Sequence, residues 1–210
     1  MKNIVIVGSG GFAKEVAFLI EDINKREKEW IFLGFIDEKV GENNGKYKIL
    51  NDDKWLENID ENIHVVFGIG NPELVRKLVN KFKDNPKIEF PNLIHPNVIG
   101  DWERISIGEG NIICAGNILT TDIKIGSFNI FNLDCTVGHD TIIENFNVIN
   151  PSVNVSGGVR LKEEILLGTG AQILQYKSVT DKVIVGAGAV VTKDITQSGV
   201  YVGSPAKKIK

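Results

Sequence analysis

The stretch that decides the fold reads IGSFNI-FNLDCT-VGHDTI-IENFNV-INPSVN-VSGGVR-L, residues 125–161. Each group of six opens on an aliphatic or aromatic residue, and the pattern continues in phase in both directions to give fifteen consecutive hexads. A small, amide or β-branched residue usually stands four places later, with Lys177 as the exception. The opening residues are Ile107, Ile113, Leu119, Ile125, Phe131, Val137, Ile143, Ile149, Val155, Leu161, Leu167, Ile173, Val179, Val185 and Val191.

A period of six residues fits neither a helix nor a simple hairpin, and it predicts a short strand and a corner, repeated. Three such units close one triangular coil, so fifteen hexads predict five stacked coils of parallel strands. One inward column should contain Ile107, Ile125, Ile143, Leu161 and Val179. Each coil of a solenoid buries its core only against the next. We therefore interpret the region as a parallel β-helix, because an ordinary sandwich would not keep fifteen hexads in phase.

Composition indicates a globular protein with 42% apolar and 24% charged residues. The net charge of −3 argues against nucleic acid as the main partner. The apolar run after Met1 is too short for a signal peptide, and no segment has eighteen consecutive apolar residues, which predicts a cytoplasmic protein without membrane insertion. Cys114 and Cys135 lack metal-like spacing and are expected to be reduced and buried.

Residues 1–90 follow other periods and are predicted to form a separate α/β domain, half of a Rossmann-like fold, before the β-helix domain of residues 91–210. The apolar strand Asn3–Val7 runs into Gly8-Ser9-Gly10-Gly11-Phe12-Ala13, and a helical pattern follows. This match to G-x-G-x-x-A predicts a strand-to-helix turn whose free backbone N–H groups suit a phosphate or a carboxylate at the helix N-terminus. A tight turn without a ligand is the alternative.

Two further strands lead to polar residues at the same predicted sheet edge. Trp30–Ile36 ends in Asp37 and Glu38, and His64–Phe67 runs into Gly70 and Asn71. Parallel sheets bind ligands at the carboxyl ends of their strands, although Asp37 and Glu38 could also form a solvated turn. Asn71 is expected to cap the next helix. With three or four parallel strands, the domain has room for a mononucleotide more readily than for NAD.

His139 is the one histidine inside the repeat, and Asp140 follows it. An imidazole suits general base catalysis because its pKa lies near neutrality, and Asp140 could orient the ring. A histidine that is merely exposed on a coil is the alternative. A histidine-ligated metal is disfavoured because His64 and His95 lie before the repeat, and His95 is interpreted as structural.

From end to end the chain resembles the hexapeptide-repeat sugar acyltransferases, the group of sialic acid O-acetyltransferases and nucleotide 4-amino-sugar N-acetyltransferases. The resemblance implies a left-handed β-helix, a homotrimer, and acetyl-CoA as cosubstrate in a groove between neighbouring subunits. The matching motifs are Ile6–Glu15, Gly34–Asp37, Gly68–Asn71, Leu93–Pro96, Val137–Asp140 and Gly203–Lys207.

The resemblance also implies roles for single residues. His139 would be the general base with Asp140 as its partner. The pantetheine groove would be lined by Gly157, Thr169 and Ala187, and the nucleotide sugar would be bound by Gly10, Gly11, Phe12, Asp37, Glu38, Gly70 and Asn71. Relatives often carry a second histidine nine residues after the first, where this chain has Val148. Asn147 or a backbone N–H is expected to stabilise the oxyanion instead.

The leading hypothesis is an acetyl-CoA-dependent N-acetyltransferase acting on the 4-amino group of a UDP- or dTDP-linked 4-amino-4,6-dideoxyhexose, for surface glycan synthesis. O-acetylation of a sialic acid or another sugar is the nearest alternative. A non-catalytic nucleotide-sugar-binding scaffold and an NAD-dependent oxidoreductase are alternatives of other classes.

Overall fold

The computed structural model describes residues 1–210, which form two compact units, Met1–Pro96 and Asn97–Lys210. The first unit is α/β and contains the glycine-rich turn. The second unit contains all fifteen hexads. Sequence analysis places the domain boundary between residues 90 and 91, in the extended segment near the end of the first unit.

The first unit has one mixed sheet with the order β3-β4-β2-β1-β5-β6, in which only the β3–β4 hairpin is antiparallel. The three strands and two longer helices that the sequence predicts are all present, whereas β4 and the short α2 were not predicted. The elements in chain order are β1 (Lys2–Val7), α1 (Gly11–Arg26), β2 (Trp30–Ile36), β3 (Asn43–Asn44), β4 (Tyr47–Asn51), α2 (Asp53–Glu57), β5 (Ile63–Phe67), α3 (Pro72–Phe82), β6 (Ile88–Glu89) and β7 (Leu93–Ile94).

Its central position in the sheet explains why β1 is continuously apolar from Ile4 to Val7. It lies between β2 and β5, and Ile4, Val5 and Ile6 are fully buried. Strands covered on both faces read as continuous apolar runs instead of alternating. The carboxyl ends of β1, β2 and β5 lead into the three turns that sequence analysis assigned to one crevice.

The second unit is built from strands of mostly two residues. They are β8 (Ile99–Gly100), β9 (Ser106–Ile107), β10 (Ile112–Ile113), β11 (Ile118–Leu119), β12 (Lys124–Ile125), β13 (Ile130–Phe131), β14 (Thr136–Val137), β15 (Ile142–Ile143), β16 (Val148–Ile149), β17 (Asn154–Val155), β18 (Arg160–Leu161), β19 (Leu166–Leu167), β20 (Gln172–Ile173), β21 (Ser178–Val179), β22 (Val183–Val185), β23 (Val190–Val191), β24 (Gly199–Val202) and β25 (Lys207–Lys208).

Every third strand of this unit pairs in parallel, and the three resulting sheets form the sides of a triangular prism. One side is β21-β18-β15-β12-β9, where Ile125 pairs with Ile107 and Ile143. The other sides are β23-β20-β17-β14-β11-β8 and β25-β24-β22-β19-β16-β13-β10. From β10 to β21 the second residue of each strand is buried, as at Ile125, Val137 and Leu161. This burial and the register of the strands confirm the predicted columns and the parallel β-helix.

Corners of the prism use a backbone conformation that the sequence pattern did not reveal. The fourth residue of the hexad has positive φ, as at Asp140 (φ 58°), Phe146 (φ 59°) and Tyr176 (φ 58°). Non-glycine residues rarely adopt this region. Glycines at the second position, such as Gly126 and Gly138, do not adopt it. Their role is to leave room for the next coil, whose atoms would lie within 3 Å of a Cβ at either position.

A ladder of buried asparagines runs inside one corner. Asn111, Asn129 and Asn147 are fully buried. The side-chain oxygens of Asn111 and Asn129 each accept the backbone N–H of the asparagine in the next coil at 2.9 Å, and Asn147 Oδ1 accepts the N–H of Ile165 at 2.9 Å. The ladder therefore satisfies backbone groups that the tight corner leaves without strand partners.

Both ends of the prism depart from the regular repeat. At the start, Ile118 pairs with Ile99, one residue further back than the regular step. At the end, β24 pairs in parallel with β22, and β25 folds back on β24, so the tail covers the last coil. Across residues 1–210, no helix has the length and apolar character needed to cross a membrane.

Candidate active site

The glycine turn of the first unit leaves the start of α1 open. Gly10 is the N-cap residue, no side chain caps the helix, and the first turn carries no acidic residue. The first N–H groups of any helix lack intrahelical partners and carry the positive end of the helix dipole. The turn therefore has the electrostatic character of an anion site.

This turn forms one wall of a cavity of about 500 Å³. Six of the seven residues predicted to bind the nucleotide sugar line it: Gly10, Gly11, Phe12, Asp37, Glu38 and Gly70. Its apolar surface comes from Ile36, Ile69, Leu74 and Leu78, among others, and Asp53 from α2 adds a third carboxylate. The cavity combines helix N–H donors, carboxylate acceptors and an apolar wall, which are the groups that would contact the phosphates, hydroxyls and base of a nucleotide.

Asn71 is the seventh predicted residue, and its side chain caps α3 instead. Its Oδ1 accepts the Leu74 N–H at 3.0 Å, with Pro72 as the first helical residue. Asn71 is not among the residues that line the cavity. The capping prediction is confirmed, and the predicted contact with the nucleotide sugar is not supported.

Two residues that the sequence did not single out hold Asp37 and the glycine turn in place. Ser9 donates its hydroxyl to Asp37 Oδ2 at 2.7 Å, while the Glu38 N–H donates to Asp37 Oδ1 at 2.7 Å. Asn44 Nδ2 donates to the Ser9 carbonyl at 2.7 Å. Ser9 lies within the glycine motif, which was the available signal, whereas Asn44 lies in an unpredicted hairpin.

His139 and Asp140 form a close pair at the corner between β14 and β15. His139 Nδ1 lies 2.7 Å from Asp140 Oδ2, and 47% of the histidine side chain is exposed. A carboxylate can only accept, so Nδ1 donates and Nε2 of the neutral ring keeps its lone pair for a ligand. The pair thus has the arrangement of a general base with an orienting carboxylate.

A second cavity, of about 600 Å³, lies along the side of the prism next to this pair. Asp140 and Ile142 line it, together with Lys124 and Arg160 on neighbouring strands. Arg104, also in its lining, forms an ion pair with Asp122. This cavity therefore offers both cations and carboxylates, and Asp140 is the member of the pair that lines it.

The four residues predicted to contact acetyl-CoA do not come together within a single chain. Asn147 is fully buried in the asparagine ladder, so its side chain cannot reach an acyl group outside the prism. Thr169 and Ala187 are exposed on one edge, where the Gly188 N–H donates to the Thr169 carbonyl at 2.8 Å. Gly157 lies on a different edge, in the coil after His139. Within one chain these residues therefore do not line one continuous groove.

Val148 stands where relatives often carry a second histidine. It is 4% exposed and lies on β16, where it pairs with Ile130 of β13 and Leu166 of β19. It lies on a strand, whereas His139 lies at a corner. Within one chain, no second histidine stands beside the first.

The remaining candidate residues are the two cysteines and the two other histidines. Cys114 and Cys135 are free and buried, as predicted, and burial raises the pKa of Cys135 to about 11, which makes it a poor nucleophile. His95 Nε2 lies 3.2 Å from Asp22 Oδ2 and His64 Nε2 lies 3.2 Å from Glu89 Oε2, both in the first unit. No group of three His, Cys, Asp or Glu side chains is arranged to hold a metal ion.

Comparison with known proteins covers both units. Residues 3–82 match the PglD N-terminal domain family. The whole chain aligns with the whole of WeeI from Acinetobacter baumannii at 30% identity and a TM-score of 0.87. The acetyltransferase domain of PglB from Neisseria gonorrhoeae aligns over all of both chains at 27% identity and a TM-score of 0.91. PerB from Caulobacter crescentus, solved with CoA and GDP-perosamine, aligns over 100% of this chain and 98% of its own at 28% identity and a TM-score of 0.88.

The chain spans only 30%, 35% and 34% of the length of the first three curated relatives that it matches. The GDP-perosamine N-acetyltransferase of Escherichia coli O157:H7 aligns over 98% of this chain and 95% of its own length at 26% identity. The solved structures named above also match from end to end. They confirm the predicted architecture, an α/β unit followed by a left-handed parallel β-helix. The chain therefore belongs to the hexapeptide-repeat family of sugar acyltransferases.

Proposed function

We propose that this chain transfers the acetyl group of acetyl-CoA to the 4-amino group of a nucleotide-linked 4-amino-4,6-dideoxyhexose, in surface glycan synthesis. The observation that carries the proposal is the His139–Asp140 pair on a prism that shares its chain with a nucleotide-sized cavity. The sequence-based prediction names UDP or dTDP as the carrier, whereas PerB was solved with GDP-perosamine.

The nucleotide sugar would bind in the cavity of the first unit. The uncapped N–H groups at the start of α1 would hold the diphosphate, which needs no basic side chain there. Asp37, fixed by Ser9, would accept hydrogen bonds from ribose hydroxyls or from the base, with Glu38 beside it. Leu74 and Leu78 would cover the apolar face of the base.

His139 would act as the general base. The acceptor amine attacks the thioester carbonyl, and Nε2 takes the proton that the nitrogen loses as the new C–N bond forms. The tetrahedral intermediate then collapses by breaking the C–S bond, and the imidazolium returns the proton to the departing thiolate. Asp140 would keep Nδ1 protonated and stabilise the imidazolium, so that Nε2 stays available.

Acetyl-CoA is the acyl donor that the family relationship supports, since the PglB acetyltransferase domain was solved with acetyl coenzyme A. Its pantetheine would pass small residues on the outside of the prism, with Gly157, Thr169 and Ala187 as candidates. Because these residues lie on two edges of one prism, we propose that a continuous groove forms only in a homotrimer, with edges from two subunits. Light scattering coupled to gel filtration would give three times the 23.1 kDa chain mass; a monomer would contradict the trimer.

The direct test of the activity is to mix the protein with acetyl-CoA and amino sugars linked to UDP, dTDP or GDP, and to follow the release of free thiol. We expect thiol release with at least one nucleotide amino sugar, with one acetyl group added to the amine by mass spectrometry. No release above background with any of the three would contradict the proposed function.

Two further arms separate the alternatives. Release with sialic acid but with no amino sugar would favour O-acetylation. Calorimetry that shows binding of a nucleotide sugar but not of CoA would favour a non-catalytic scaffold. Val148 raises this alternative because relatives often carry a second histidine at its position.

A further inference from the structure

The third position of the hexad holds a side chain in fourteen of the fifteen repeats, and Gly157 is the exception. The residues at this position are Glu109, Ala115, Thr121, Ser127, Leu133, His139, Asn145, Pro151, Gly157, Glu163, Thr169, Gln175, Asp181, Ala187 and Lys193. Backbone conformation does not explain the glycine, because the left-handed φ of this corner belongs to the next residue, Gly158 (φ 67°). The missing side chain must therefore have a local cause.

That cause is the imidazole of His139, in the preceding coil. A Cβ on Gly157 would lie 2.6 Å from His139 Nε2, 2.8 Å from Cε1 and 2.9 Å from Cδ2. Near-equal distances to Nε2 and its two ring neighbours place this point above the ring face, at the Nε2 end. Gly157 is buried although it lies at a corner. The imidazole thus occupies the volume that a side chain at position 157 would need.

We propose that Gly157 is a positioning residue for His139, acting as the seat on which the imidazole lies. Asp140 restrains the ring in its plane through Nδ1, and Gly157 restrains the face at Nε2. The Gly158 N–H donates to the His139 carbonyl at 2.7 Å, which ties the same two coils together. The seat acts on the nitrogen that would take the proton, so its kinetic consequence rests on the proposed function, whereas its steric consequence does not.

A double-mutant cycle on thermal stability tests the steric claim without any substrate. Gly157→Ala should lower the melting temperature in the wild-type chain, because the methyl group and the imidazole compete for one space. In the His139→Ala chain that space is empty, so the same substitution should have little effect. An equal loss in both backgrounds would overturn the proposal, because the methyl group would then clash with something other than the imidazole. If Gly157→Ala alone does not fold, recovery of folding in the double variant supports the proposal, and no recovery contradicts it.

Ring position can also be read directly. The chain has only three histidines, so NMR signals of labelled imidazoles can be assigned with His139→Ala as reference. Gly157→Ala should change the chemical shifts of the His139 imidazole and leave those of His64 and His95 unchanged. Lys193→Ala, at the same hexad position of a later coil, is the control and should change none of the three. An unchanged His139 signal in Gly157→Ala would contradict the proposal that Gly157 positions the imidazole.

If the acetyl transfer is found, the kinetic effect follows. A displacement of about 1 Å at a reacting nitrogen can cost about 100-fold in rate, so Gly157→Ala should lower kcat about 10- to 100-fold with the KM for the nucleotide sugar nearly unchanged. Full kcat in a folded Gly157→Ala enzyme would overturn the positioning role. If no acyl transfer is found, the stability cycle and NMR signals still decide whether the imidazole is seated, so the two failures are distinguishable.

Discussion

Two groups of glycines in this molecule serve opposite purposes, one beside the cavity of the first unit and one between the coils of the prism. In the first unit, a Cβ added to Gly10, Gly11 or Gly70 would meet nothing within 4 Å. In the prism, a Cβ on Gly138 or Gly168 would lie 2.4 or 2.5 Å from a backbone nitrogen of the next coil. The first group leaves a cavity open, whereas the second lets coils approach one another. A glycine therefore indicates a ligand site only where its empty volume is not filled by protein.

The largest expected effect is the loss of the proposed base. His139→Ala should lower kcat by about 100- to 10,000-fold, the usual contribution of general base catalysis. Asp140→Asn should cost less, because the imidazole remains but loses its orienting carboxylate. Rapid-quench measurement of acetyl transfer would establish the order. A His139→Ala enzyme within a few-fold of the wild-type rate would show that the acceptor needs no base from this residue.

The next largest effect is expected from substitution of a glycine that lies against the next coil. Gly168→Ala would press a methyl group against the Ala187 nitrogen, and such overpacking usually costs about 1–3 kcal/mol of unfolding free energy. Denaturant unfolding would measure it. Nucleotide binding should be unchanged in the folded variant, since the cavity lies in the first unit. Unaltered stability would show that the coils can shift apart, contrary to the packing role given to this glycine.

Substitution of a glycine that borders the cavity should instead lower nucleotide affinity and leave stability nearly unchanged. Gly11→Leu should keep the unfolding free energy within about 1 kcal/mol of wild type, because the position is open and helical. The leucine would fill part of the cavity, so calorimetry should show nucleotide affinity falling about 10-fold or more, as expected when about 1.4 kcal/mol of binding is lost. Wild-type affinity would indicate that the nucleotide binds elsewhere.

The smallest effect concerns Asp53, whose pKa lies below its ordinary value because Lys81 donates a hydrogen bond to it. A lowered pKa in the folded state adds stability above the unfolded-state pKa, near 4, and that stability is lost as pH falls through the folded-state value. Both side chains are partly exposed, so Asp53→Asn should cost only about 0.5 kcal/mol at pH 7. The difference from wild type should vanish in acid; a difference that persists there would exclude the ion pair as its cause.

Periodicity predicted the β-helix well because the hexads repeat one local rule fifteen times. Even Ile107, Ile125 and Ile143 fall in the expected column. The pattern could not predict the positive φ at Asp140 or Tyr176, since the fourth position accepts very different side chains.

Site residues were predictable from the sequence where the interacting residues are adjacent in the chain. Asp140 follows His139, and the glycine turn is continuous in sequence. Contacts between coils were predictable only in part. The step of eighteen residues places Gly157 one coil after His139, but the close approach of the imidazole to Gly157 and the inward direction of Asn147 are visible only in the structure. Asn44 donates to the Ser9 carbonyl from the β3–β4 hairpin, which the sequence did not predict because the first strand is polar.

The central claim is that the cavity of the first unit and the His139–Asp140 pair serve one acetyl transfer. Steady-state kinetics of His139→Ala and Gly11→Leu with the best nucleotide amino sugar test it most directly. We predict that His139→Ala lowers kcat with little change in the KM for the nucleotide sugar, and that Gly11→Leu raises this KM with little change in kcat. Unchanged kinetics in either variant, or loss of the same parameter in both, would contradict the account.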